Sequence, residues 1–351
     1  MQKTLLITGV NGYIGLHMAI EGLKRGFIVR GTVRSKKKAD ECKNCLRNLV
    51  SEQQFANFEI VNANLTKPHS WDLAVQGCDA IFHTASPLSI DNRSERNQLI
   101  KTTREGVKHV FEAAKRQGTT RIVYTSSVAA VMFGHNSFKS HYSESDWSNT
   151  EGRPNTEYTV GKTLAEQDAW RYADNCDQLQ LTTILPALVL GPINNHISLS
   201  NGLVCALMNG AFSKGVINRD FPIVDVRDIV TAHFKCLEQD KSIGERIILA
   251  AESLWMPDMV DLLLSENPQF KAVLNPRVMP NWQLKIMSLF NRPLRHLAME
   301  ANATRNLSNH KAQKLLGIEP RSSREALLAT AKDLIRLGLV ATPQNRPSEP
   351  M

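Results

Sequence analysis

Short apolar runs alternate with longer stretches whose apolar residues recur at helical spacing through the first half of this chain of 351 residues. Residues 5–8, 27–33, 59–62, 80–84, 121–126 and 180–185 read as strands, with helices opening near Tyr13, Lys36, Trp71, Ser94 and Pro154. Strand and helix alternating in this order predict an α/β fold, a parallel sheet covered on both faces. Beyond Pro186 the regularity fails, and Pro, Asn and Gly accumulate through 191–195 and again through 275–277. Asp225-Val226-Arg227-Asp228-Ile229-Val230 opens one more helix, 246–250 reads as a strand returning to the sheet, and a last helix runs from about Ser322 to Leu337. The expected organisation is a main domain at 1–190, which residues 226–250 rejoin, and a smaller, irregular C-terminal region at 191–225 and 251–340. Residues 341–351, rich in proline and polar side chains, read as a flexible tail.

Two motifs add chemistry to this pattern. Thr8-Gly9-Val10-Asn11-Gly12-Tyr13-Ile14-Gly15 stands directly behind the apolar run Leu5-Leu6-Ile7. A glycine-rich turn between a strand and a helix lets backbone N–H groups approach a pyrophosphate, whose charge the positive end of the helix favours. The fold is therefore expected to be a doubly wound Rossmann fold that binds a dinucleotide. Further on, Tyr158-Thr159-Val160-Gly161-Lys162 places a tyrosine and a lysine one helical turn apart. Both project from one face, so the ammonium can lie beneath the phenol and favour its ionised form. Together the motifs point to nicotinamide-dependent carbonyl chemistry.

Charge narrows the cofactor. The net charge is +8, but the basic residues are dispersed and no aromatic RNA-binding motif accompanies them, so no nucleic-acid partner is expected. The dense cluster is Arg34-Ser35-Lys36-Lys37-Lys38, about 20 positions beyond the glycines, where an NAD-preferring fold carries a carboxylate for the ribose 2′-hydroxyl. No carboxylate occurs there before Asp40. NADP is the expected cofactor, with the planar fork of Arg34 on the 2′-phosphate and Lys38 as a point-charge partner.

Composition sets the remaining bounds. Hydrophobic residues make up 42% of the chain, ample for a packed core. No run of about 18 apolar residues occurs and the first strand begins almost at Met1, so a cytoplasmic protein with no membrane partner is expected. The six cysteines are scattered through strand and helix patterns, as suits reduced thiols. Cys42 and Cys45 form the one CxxC, and without a second pair or a histidine cluster beside it no metal site is expected.

These residues carry a resemblance over nearly the whole chain. TGVNGYIG, GTVRSKKKA, GCDAIFHTASP, RIVYTSSVAAV, YTVGKTLAEQDAW, LPALVLGP, VDVRDIVTAH and KAQKLLGIEPRS follow one another as in the extended short-chain dehydrogenases/reductases. More narrowly the chain resembles the branch of dihydroflavonol reductase and yeast aldehyde (methylglyoxal) reductase. The resemblance implies a catalytic triad of Ser127, Tyr158 and Lys162. A hydroxyl at the carboxyl end of a parallel strand, where Ser127 falls, independently suits a group that binds a substrate carbonyl oxygen. It further implies Gly9, Gly12, Tyr13, Ile14 and Gly15 around the pyrophosphate, and Thr84, Ala85 and Ser86 along the adenosine. By the same resemblance Lys162 is expected to hold the nicotinamide ribose, and Pro186 and Leu188 to face the nicotinamide. Where relatives show Asp-Leu after the third strand this chain has Asn64-Leu65, which keeps an acceptor for the adenine amino group but loses the charge.

The substrate is less constrained. Dihydroflavonol reductases grip a polyphenol with an asparagine five positions after the catalytic serine, where this chain has Met132. Met132 and Phe133, with Pro87 and Leu88 on a facing loop, suggest an apolar, adaptable pocket for aldehydes and ketones. The expected activity is a reversible, NADPH-dependent reduction of a small or medium apolar aldehyde or ketone, with Tyr158 as proton donor. A nucleotide-sugar epimerase/dehydratase, a 3β-hydroxysteroid dehydrogenase and a catalytically silent NADP sensor remain open alternatives, as does a homo-oligomer. Arg34→Glu is expected to raise the Michaelis constant for NADPH strongly while leaving that for NADH almost unchanged. Equal losses in steady-state assays with the two cofactors would remove the 2′-phosphate assignment.

Overall fold

The computed structural model describes residues 2–87, 96–135, 139–194, 197–290 and 298–340. Leu88, the expected helix start at Ser94 and the tail at 341–351 lie outside them. Strands β1 (Thr4–Thr8), β2 (Ile28–Val33), β3 (Phe58–Asn62), β4 (Ala80–His83) and β5 (Arg121–Thr125) are followed by a two-residue β6 (His141–Tyr142) and by β7 (Gln180–Pro186). Then come β8 (Leu188–Leu190), β9 (Asp220–Asp225), β10 (Arg246–Leu249), β11 (Ser253–Trp255) and β12 (Asn306–Leu307). Seven of them build one sheet in the order β10-β7-β5-β4-β1-β2-β3. Every pair in that sheet is parallel.

This is the doubly wound Rossmann arrangement. The chain runs outward from β1 through β2 to β3, returns to β4 on the other side of β1, and so opens a crevice at the carboxyl ends of β1 and β4, where such sheets take their ligands. Strands buried on both faces read as continuous apolar runs, and β1, β4 and β5 are buried almost throughout. One core lies between the sheet and the helices Tyr13–Lys24 and Val226–Glu238, and another beneath Arg96–Gln117 and Glu157–Asp174.

The expected strands are present with ends shifted by at most one residue, and one helix differs more. The helix expected near Pro154 begins at Glu157, because Thr156 caps it: its hydroxyl accepts from Thr159 N at 3.1 Å and its own N–H donates to the Thr159 hydroxyl at 2.8 Å. The helix expected near Lys36 opens there and runs Lys36–Arg47, with Ser35 as its cap. In the C-terminal region β8, β9 and β11 form a separate three-stranded sheet over a third core, built with the helices Leu199–Met208, Met256–Glu266 and Ser323–Arg336.

Close backbone packing fixes the first turn of the fold. A Cβ on Gly31 in β2 would meet Val10 Cγ1 at 2.4 Å, so the strand must be bare where the glycine turn crosses it. Gly31→Ala is expected to cost about 1–3 kcal/mol through overpacking. Denaturant unfolding of Gly31→Ala with and without Val10→Ala checks this: the two changes together should cost less than the sum of the separate changes.

Candidate active site

The turn after β1 forms a cradle that side chains would fill. Gly9 has φ +66 and lies so close to the fourth strand's loop that a Cβ would meet Ala85 Cα at 3.1 Å. A Cβ on Gly15 would stand 2.6 Å from Gly9 O. Gly12 N donates to Gly9 O at 2.9 Å and caps the helix Tyr13–Lys24 with no side chain, and the first turn carries no acidic residue. The positive helix end is therefore left to an outside anion. Ser86 Oγ, on the facing loop, is buried with no hydrogen-bond partner among the described residues. A bare backbone turn, an uncapped helix and an orphaned hydroxyl fit a dinucleotide. Tyr13 joins the cradle through its backbone only: its ring lies edge-on to His17 at 5.4 Å and its phenol faces the fully buried Asn201.

Thr8 ties the two walls of the crevice. Its hydroxyl accepts from Thr84 N and Ala85 N, each at 3.0 Å, and meets His83 Nδ1 at 2.9 Å. With both lone pairs used, the hydroxyl donates its proton to His83, whose Nδ1 must be bare. Burial, reinforced by the charge of Lys162, pushes His83 down to about 3, so the ring is neutral. Thr84 Oγ1 donates back to Thr8 O at 2.5 Å.

The three triad positions converge at the end of β5. Ser127 caps a short helical turn, accepting from Ala129 N at 3.1 Å. The Ser127 side chain lies beside the phenol of half-buried Tyr158 and lowers a pKa that burial raises by more. Lys162 is buried, and its Nζ donates to Thr125 O at 3.0 Å, 5.5 Å from the centre of the Tyr124 ring. The sequence placed that ammonium beneath the Tyr158 phenol; in the fold its hydrogen bond goes to the strand end, and its charge bears on His83. Burial brings Lys162 down to about 8, against an opposing pull from Glu166.

Glu166 was not singled out in the sequence. One turn beyond Lys162, at 0% exposure, it receives Ser126 Oγ at 2.7 Å, Thr183 Oγ1 at 2.9 Å and Arg246 Nε at 2.8 Å. Arg246 in turn lies 3.6 Å from the Trp147 ring centre. Helix, β5, β7 and β10 are thereby pinned together, and Ser126 is held by structure, which leaves Ser127 to face the crevice. In an i,i+4 pattern a glutamate after a lysine reads as a surface pair, so only the fold reveals this partner 80 residues away.

The remaining expected contacts divide. Arg34 is exposed at the end of β2, and no ion pair or hydrogen bond engages it among the described residues. Lys38 instead donates to Glu41 at 2.9 Å. Asn64 Oδ1 accepts from both Thr66 N and Thr66 Oγ1 at 3.1 Å, so the acceptor expected to serve adenine is occupied by a local turn. Leu65 packs its side chain over Gly106. Pro186 ends β7 and Leu188 opens β8, paired with Ile223. Met132 sits in the main core, while half-buried Phe133 lies 5.2 Å under the guanidinium of Arg305, a buried neighbour the sequence did not signal. Pro87 is half-buried.

The cradle, the crevice and the Ser-Tyr-Lys cluster together define a dinucleotide-binding α/β protein. The chain belongs to the NAD dependent epimerase/dehydratase family, whose model matches residues 5–250. It is 32% identical to cinnamoyl-CoA reductase 1 of Arabidopsis thaliana, over 86% of each chain. It is 28% identical to the bifunctional dihydroflavonol 4-reductase/flavanone 4-reductase of Pyrus communis, over 98% of this chain and 94% of that one. Its fold superposes on yeast methylglyoxal/isovaleraldehyde reductase Gre2 complexed with NADPH with a TM-score of 0.80, at 25% identity, over 96% of this chain and 100% of the other.

Glu166→Gln is expected to destabilise the protein by about 3–5 kcal/mol, because it leaves the Arg246 charge buried without its counterion. The same change removes the field that keeps Lys162 protonated, so the alkaline limb of kcat/KM should move to lower pH. A merely structural role would lower stability and leave the pH profile in place.

Proposed function

We propose that this protein is an NADPH-dependent reductase that converts an apolar aldehyde or ketone to the alcohol, reversibly, with Tyr158 as proton donor. The observation that carries the reading is the gathering of Ser127, Tyr158 and Lys162, whose Nζ donates to the Thr125 carbonyl, at the carboxyl end of β5, beside the glycine cradle of the same crevice. The names of the relatives add to it, since cinnamoyl-CoA, dihydroflavonol and methylglyoxal/isovaleraldehyde reductases all act on carbonyl groups. Gly9, Gly12 and Gly15, with the N–H groups of Tyr13 and Ile14, hold the pyrophosphate, and Arg34 is free to meet a 2′-phosphate.

Bound NADPH supplies the hydride. The chain's own residues handle the charge that this creates. As the carbonyl carbon becomes tetrahedral its oxygen gains negative charge, and Ser127 Oγ and Tyr158 Oη point two hydroxyls at it. Tyr158 gives its proton to that oxygen and is left as phenolate, a form that burial disfavours. Lys162, protonated at neutral pH by about tenfold over its free base, supplies the compensating charge. Pro87 and Phe133, with Met132 behind them, give the pocket its apolar wall, and Leu88 is assigned to the same wall by sequence alone.

Loss of NADPH absorbance with a panel of aldehydes and ketones tests the reading. Tyr158→Phe should lower kcat by about 10²–10⁴ while NADPH still binds, as titrated by fluorescence. Full turnover in Tyr158→Phe would remove the phenol from the reaction, and binding without turnover in either form would favour a sensor. In the reducing direction, activity should fall as pH rises through about 8, where the buried Lys162 loses its proton.

A further inference from the structure

The helix Asn281–Phe290 buries one residue, Leu284. On the side away from Leu284, Trp282, Ile286, Leu289 and Phe290 follow at i, i+4, i+7 and i+8 and form a single stripe. Their exposures are 63, 51, 67 and 88%. Large apolar side chains gathered into one exposed face mark an interaction surface, whereas scattered ones are ordinary. Lys285 is exposed on the flank of the stripe.

Charge along this stretch is one-sided. From Asn267 to Met299 the sequence carries Lys271, Arg277, Lys285, Arg292 and Arg295 and not one Asp or Glu. The chain as a whole has 34 carboxylates against 42 lysines and arginines, so the interval departs sharply from its surroundings. A second copy of this chain would set these cations against themselves. An anionic surface would be complementary to them. At ten residues the helix is about 15 Å long, half the thickness of a bilayer core, and no helix of the described residues is long and apolar enough to cross a membrane. Length of that kind suits a helix lying in the plane of the interface, apolar stripe inward and Lys285 at the headgroups.

We propose that the Asn281–Phe290 face docks this protein onto an anionic lipid bilayer, with Trp282, Ile286, Leu289 and Phe290 entering the headgroup boundary and Lys285 meeting lipid phosphates. The expectation that there is no membrane partner came from the lack of a long apolar run, which bears on spanning a bilayer and leaves surface binding untouched. This inference does not depend on the reductase reading.

The test is sedimentation of the full chain with vesicles of phosphatidylcholine alone and of phosphatidylcholine with phosphatidylserine, together with light scattering of the protein without lipid. The expected result is binding to the phosphatidylserine vesicles that weakens as salt is added. Lys285→Gln should reduce that binding about fivefold, one surface cation's share. Phe290→Ser should reduce it about tenfold or more, with the melting temperature unchanged. Should Phe290→Ser fail to fold, Lys285→Gln alone decides. No binding to either vesicle, equal binding to both, or a dimer in lipid-free solution that Phe290→Ser breaks apart would each overturn the proposal.

Discussion

Glu166 carries its charge at zero exposure, and the placement of the active helix follows from how that charge is satisfied. An isolated carboxylate in such a place would be protonated or would unfold its surroundings. Arg246 from β10, Ser126 just past the end of β5 and Thr183 from β7 all converge on it. A buried ion pair of this kind adds little net stability against an apolar replacement, but it is exacting about geometry. It sets the register of Glu157–Asp174 against the strand ends. Lys162, one turn earlier, then comes to rest on the Thr125 carbonyl, and Tyr158, a further turn back, lies beside Ser127.

The crevice has two electrostatic ends. At the glycine turn an uncapped helix without acidic residues presents positive potential to an anion. At the end of β5 the charges are Lys162 and, behind it, Glu166. His83 between them is kept neutral by burial and by Lys162, and it orients the Thr8 hydroxyl that clamps the Thr84 and Ala85 backbone. A second cation at His83 would oppose Lys162, and the neutral ring avoids that repulsion.

Much of the sheet could be read in the sequence, because its strands are buried on both faces and show as continuous apolar runs between helical stretches. The glycine turn and the Tyr158–Lys162 pair were legible for the same reason, being local. What escaped was tertiary or small. Pro222 lies inside β9, and β8 and β11 span three residues each, so none of them reads as a strand before its partners are known. Pro154 suggested a helix start that Thr156 in fact supplies. Asn64 kept the atom expected to serve adenine, but Thr66 two residues on takes both its lone pairs. Glu166 and Arg246 are 80 residues apart, and nothing in either neighbourhood announces the other.

The central claim is that a carbonyl oxygen is held between Ser127 and Tyr158 while the cofactor lies in the crevice of β1 and β4. A crystal structure with NADP and an unreactive carbonyl analogue tests this most directly. The account predicts the analogue's oxygen within hydrogen-bonding distance of both Ser127 Oγ and Tyr158 Oη, with the pyrophosphate over Gly12. An analogue bound elsewhere, or a Tyr158 phenol turned away from it, would contradict the account.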